Sequence, residues 1–220
     1  MPPIPDLPRS RILFIGNSYT SRNQLPGLLA KLAAADAHPR RVEVDAIVAG
    51  GASLRRHWNA GIARDALAKS PWDYVVLQEQ STLPLKNPAR YHENIRLFDA
   101  EIARHGAKTV LYLTWARQQA PHTQDGITRA VEDIAAEIHA LVVPVGRAWQ
   151  AALAQYGDLQ LYVDDGSHPS TAGSYLAACV FHVSLFGDAP REFSVSDALR
   201  LDRAVAARLQ AVARECHMPR

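Results

Sequence analysis

The chain is short of cysteine, of net charge and of long apolar runs, and each shortage removes a class of protein. Among its 220 residues only Cys179 and Cys216 are cysteines, and with no C-x-x-C spacing to suggest a metal or redox site both read as free thiols. With 24 Lys and Arg against 22 Asp and Glu, the formal charge of +2 makes no field strong enough to hold nucleic acid or an anionic membrane. No run approaches the roughly 20 apolar residues that a spanning helix needs. His92, His105, His122, His139 and His182 are scattered without ligand spacing, so no metal is expected, and nothing else calls for a cofactor. Residues 1–10 are proline-rich and have no apolar stretch of signal-peptide length. They are expected to be a flexible lead-in, and the protein to be cytoplasmic, or secreted if a leader was removed. No repeat or low-complexity segment interrupts the rest. The chain therefore reads as one domain, 1–220, and its 48% hydrophobic content suffices for one sizeable core.

What the chain does have is alternation. Short apolar runs at Ile12–Ile15, Val42–Val48, Tyr74–Leu77, Val110–Leu113 and Leu141–Val145 predict five strands, each followed by a polar or glycine-containing turn. Between them lie helical spacings: Leu25, Leu28, Leu29 and Leu32 share one face, as do Ile95, Phe98 and Ile102, and Ile127, Val131, Ile134 and Ile138. Strand–helix alternation predicts βαβ units with right-handed crossovers, hence a doubly wound α/β/α sandwich around a parallel sheet. The second run alternates Val42 and Val44 with Glu43 and Asp45, which suits a sheet edge; the first and third are continuously apolar and belong at the centre. A helix is expected over about 170–186 and a last one over about 197–214.

In such a sheet, ligands bind at the C-terminal ends of the strands, where successive crossovers part to opposite faces. Gly16-Asn17-Ser18-Tyr19-Thr20, Gly50-Gly51, Gln78-Glu79-Gln80-Ser81 and 114–119 all fall there. A serine hydroxyl needs a neighbouring base to become a nucleophile. Asp165-Gly166-Ser167-His168-Pro169 supplies an imidazole to take the proton and a carboxylate to fix its tautomer. Each motif has a plainer explanation when taken alone, since Ser18 or Asp165 would serve as a helix cap and Gly50-Gly51 as a turn. Their order along the chain favours chemistry.

Together these segments resemble the SGNH, or GDSL-type, hydrolase superfamily along nearly the whole chain. Gly16-Asn17-Ser18 is similar to its first block, Gly50-Gly51 to its second and Asp165 to Pro169 to its last. The first block departs from the usual Gly-Asp-Ser, and Gln78-Glu79-Gln80-Ser81 stands where Gly-x-Asn-Asp is usual. The resemblance implies a flavodoxin-like fold with a five-stranded parallel sheet and a Ser18–His168–Asp165 triad. It also implies an oxyanion hole made by the N–H groups of Ser18 and Gly51 and by the amide of Gln80, with Gln78 as its rival. Asn17, Gly50, Glu79, Trp115 and Arg117 are expected to line the substrate site and His57 to lie on the surface. A faint likeness to carbohydrate acetylesterases points to short acyl, above all acetyl, esters of a carbohydrate or other small polyol. Two alternatives remain: a flavodoxin-like module whose Asn17, Ser18, Thr20 and Ser21 cradle a phosphate, and a degenerate glycan binder.

Overall fold

A computed structural model describes residues 7–187 and 194–216. Five parallel strands, β1 (Arg9–Gly16), β2 (Arg41–Val48), β3 (Tyr74–Leu77), β4 (Lys108–Tyr112) and β5 (Leu141–Val143), lie in the order β2-β1-β3-β4-β5. After β1 come α1 (Ser18–Ser21) and α2 (Leu25–Ala35); after β2, α3 (Leu54–Ala60) and α4 (Ile62–Lys69); after β3, α5 (Leu83–Lys86) and α6 (Pro88–Arg104). The helix α7 (Gln124–Ile138) follows β4, and α8 (Val145–Gln155), α9 (Thr171–Phe186), α10 (Ser194–Ala198) and α11 (Arg203–Glu215) follow β5.

The layers follow from the pleat of β1. Ile12, Leu13, Phe14 and Ile15 are all buried, and successive side chains must leave opposite faces. Ile12 and Phe14 enter a core shared with α2, α8, α9 and α11. Leu13 and Ile15 enter a second core with α3, α4, α6 and α7. Each fully buried side chain of this size stabilises the fold by roughly 1.5–3 kcal/mol relative to exposure, which is why β1 carries an unbroken apolar run. The chain crosses to opposite sides after β1 and β3, so these neighbouring strands open the crevice into which the loops at 16–21, 49–53 and 78–82 project.

The five-stranded parallel sheet, the edge position of β2 and the central place of β1 and β3 agree with the periodicity. Several boundaries differ. Arg9 and Ser10 already belong to β1, paired with Arg41 and Val42, so only residues 1–6 of the expected lead-in lie outside the described residues. The single helix expected over 197–214 is two, because Arg200 turns left-handed (φ 55°) and Asp202 caps α11, accepting from the Ala204 and Val205 N–H groups. Among the described residues no helix is long and apolar enough to cross a membrane.

Candidate active site

Ser18 is placed by the residues on either side of it. β1 ends at Gly16, and Asn17, still extended (φ −132°), caps α1 through its side-chain oxygen, which accepts from the Tyr19 N–H. Its amide nitrogen donates to the Ala52 carbonyl at 3.0 Å, so the buried Asn17 side chain, expected at the substrate site, is used at both ends and shapes the loop. Gly16 has to be glycine here. A Cβ would overlap the Thr20 hydroxyl and the Gln78 side chain. Its carbonyl faces Nε2 of His57 at 2.7 Å; His57, expected on the surface, is buried beneath the loop. Thr20 Oγ1, expected in the alternative phosphate cradle, donates inward to Gln78 Oε1 at 3.1 Å.

Ser18 Oγ lies 2.8 Å from Nε2 of His168, and Nδ1 of His168 lies 2.6 Å from Oδ2 of Asp165. An ionised carboxylate only accepts, so Nδ1 carries the proton and Nε2 presents its lone pair to the serine hydroxyl. The other carboxylate oxygen accepts from the Ser167 and His168 N–H groups, each at 2.8 Å. These bonds, led by those from His168, hold the Asp165 carboxyl down at about 2 and keep it ionised at neutral pH. Neither residue caps the following helix. That cap is Ser170, which accepts from the Gly173 N–H.

The loop after β4 supports this turn from the side. Trp115, expected to line the site, is buried, its indole stacked 3.9 Å from Trp149 and 4.8 Å from Tyr19 between ring centroids. Its Nε1 donates to the Ser167 carbonyl at 3.0 Å. Gln118 N–H donates to the Gly166 carbonyl at 2.8 Å, and the neighbouring Arg117 is exposed. The loop is thus sewn to the histidine turn, with Arg117 left at its surface.

No family model matches the chain, and no curated protein does. A candidate SGNH hydrolase from Slackia heliotrinireducens is 33% identical, with a TM-score of 0.68, over 80% of this chain and 99% of its own. The chain belongs to the SGNH hydrolase superfamily. A DUF4886 family protein from Bacteroides uniformis shares the fold at 22% identity and a TM-score of 0.75, with 94% of each chain covered. So does an acetylxylan esterase, Axe2, from Geobacillus stearothermophilus, at 21% identity and a TM-score of 0.66, over 80% of this chain and 94% of that one.

The remaining SGNH blocks divide into groups used within the fold and groups left open. Gln78 is fully buried; its Oε1 accepts from the Asn17 N–H at 2.8 Å and from Thr20, and its Nε2 donates to the Glu79 carbonyl. Both ends of that amide are thus engaged within the fold. Gln80 differs: Oε1 accepts from the Thr82 N–H and hydroxyl, both at 3.0 Å, which fixes the amide's orientation and leaves Nε2 without a partner among the described residues. The N–H groups of Ser18 and Gly51 likewise have no backbone acceptor there. Gly50 and Gly51 form the exposed tip of a turn closed from Ala52 N–H to Ala49 O, and the φ of +62° at Gly51 suits a residue without Cβ.

Glu79, also expected at the substrate, is buried instead. Oε1 accepts from the Leu54 and Gln80 N–H groups, at 3.0 and 2.7 Å, and Oε2 from Asn94 Nδ2 at 2.8 Å. Burial raises its pKa, and these bonds oppose the rise. One carboxylate thereby ties the segments after β2 and β3 to α6. Sequence reasoning missed Asn94, His57 and Tyr19 as parts of this site, because each lies in or beside a helix where polarity signals exposure.

Proposed function

We propose that this SGNH protein is a serine esterase that removes short acyl groups, above all acetyl, from a carbohydrate or other small polyol. The observation that carries the reading is the unbroken hydrogen-bonded chain from Ser18 through His168 to Asp165, at 2.8 and 2.6 Å. Ser18 Oγ attacks the ester carbonyl as His168 Nε2 takes its proton. Asp165 holds the ring and stabilises the imidazolium. The N–H groups of Ser18 and Gly51 and the Gln80 amide donate to the oxyanion. His168 then returns the proton to the leaving alcohol, giving an acyl-Ser18 ester. Water, deprotonated by His168, attacks that ester and releases the carboxylic acid and free serine. The acetyl preference draws on the fold shared with an acetylxylan esterase, and the three donors left without a partner among the described residues support the oxyanion assignment.

A fluorophosphonate probe should label Ser18 in the native protein, and p-nitrophenyl acetate hydrolysis should drop to background in Ser18→Ala, a loss on the order of 10⁶-fold. Equal turnover by the two proteins rules out the nucleophile. Absence of labelling with hydrolysis intact does the same. Release of acetate from acetylated xylo-oligosaccharides, against butyrate from matched esters, tests the substrate class.

A further inference from the structure

We propose that Tyr19 and Ser167 are positioning residues: their hydroxyl–hydroxyl bond fixes the distance between the serine loop and the histidine turn. The inference rests on Ser18 and His168 being the reacting pair. Tyr19 directly follows Ser18, and Ser167 directly precedes His168. The two hydroxyls are 2.7 Å apart, beside the 2.8 Å contact between Ser18 and His168. Two neighbours on one segment therefore meet two neighbours on the other in reverse order, as two rungs of a ladder. A displacement of either segment that lengthens one rung strains the second.

Ser167 is held at every polar atom it has. Its N–H donates to Asp165 Oδ1 at 2.8 Å, its carbonyl accepts from Trp115 Nε1 at 3.0 Å, and its Oγ meets Tyr19. Tyr19 is equally fixed. It is buried, stacked nearly parallel (5°) on Trp115, and its ring stands edge-on to the His168 imidazole at 5.6 Å. On the far side of His168, Asn23 Nδ2 donates to the Ser170 carbonyl at 3.1 Å and to Ser174 Oγ at 2.8 Å. Asn23 does so from a left-handed backbone (φ 52°), a conformation that asparagine tolerates better than most residues with a Cβ. The histidine is thus bracketed by contacts from the segment that carries the serine. Among the described residues its own ring meets only Asp165 and Ser18 through hydrogen bonds.

Errors of about 1 Å in such a pair cost on the order of 10²-fold in rate, so the second rung acts on turnover and not on substrate binding. Tyr19→Phe keeps the ring stack and removes the hydroxyl; Ser167→Ala keeps both backbone bonds. Each is expected to lower kcat for p-nitrophenyl acetate by roughly 10- to 100-fold with KM within about twofold. The rate of fluorophosphonate labelling at Ser18 should fall by the same factor. Combining the two should cost no more than either alone, because both break one bond. A structural role alone would lower the melting temperature and leave kcat and the labelling rate of the folded protein unchanged. That result, or additive losses in the double variant, overturns the proposal. Labelling of the native protein separates this failure from that of the parent reading. If the native protein is not labelled, both fail; if it labels and the variants label as fast, only the positioning role fails.

Discussion

The amide of Gln80 has its oxygen turned to Thr82 and its nitrogen without a partner among the described residues, whereas the amide of Gln78 is buried and used at both ends. Truncating them should therefore separate rate from stability. Gln80→Ala should lower kcat by about 10²–10³-fold, as loss of one oxyanion donor does, with little change in denaturation midpoint. Gln78→Ala leaves the Asn17 N–H and the Thr20 hydroxyl without their buried acceptor, at about 1–3 kcal/mol each, and should lower the urea midpoint. The sequence could not choose between the two, because an amide two residues away is the same group. The sheet sets the two side chains in different surroundings. Gln78 N–H still donates to the Ile15 carbonyl at 2.9 Å, continuing the ladder inward, and by Gln80 the chain has turned out of it. That Ser18, His168 and Asp165 come together was legible from residue type and order. Trp115 and Glu79 were misread because loop residues are expected at the surface, and here loops pack on loops.

Among the elements, α9 lies tight against the body at Gly173, where a Cβ would overlap the Leu161 carbonyl and the Trp149 ring. Trp149 in turn stacks on Trp115, so this contact lies under the support of the histidine turn. Gly173→Ala should destabilise the protein by roughly 1–3 kcal/mol through overpacking, seen as a lower urea midpoint. Gly157→Ala, which meets nothing within 4 Å, is the control. Periodicity revealed the strands and helices because each buries a repeating face. It did not reveal the break between α10 and α11, where the apolar spacing continues through a cap made by one carboxylate, Asp202. Nor did it show the closeness of α9, which depends on an absent side chain.

At the scale of the whole molecule, the sheet ends differently on its two sides. β5 is three residues long, too short to recruit another strand, while the longer β2 carries charge along its edge. There Glu43 meets three guanidiniums, Arg9 at 2.5 Å, Arg41 at 2.9 Å and Arg11 at 3.5 Å, and they lower its pKa, Arg9 foremost. Glu43→Gln leaves the three cations facing one another. The melting temperature should fall, and the fall should shrink in about 1 M salt, where exposed charges are screened beyond roughly 3 Å. A deficit independent of salt would mean that packing, not charge, holds this edge.

The 150 positions between Ser18 and His168 also order events in time. Synthesis at roughly 5–20 residues per second puts about 8–30 s between the two. Under the proposed triad the serine is made without its base, and that base arrives only after the last strand has been made.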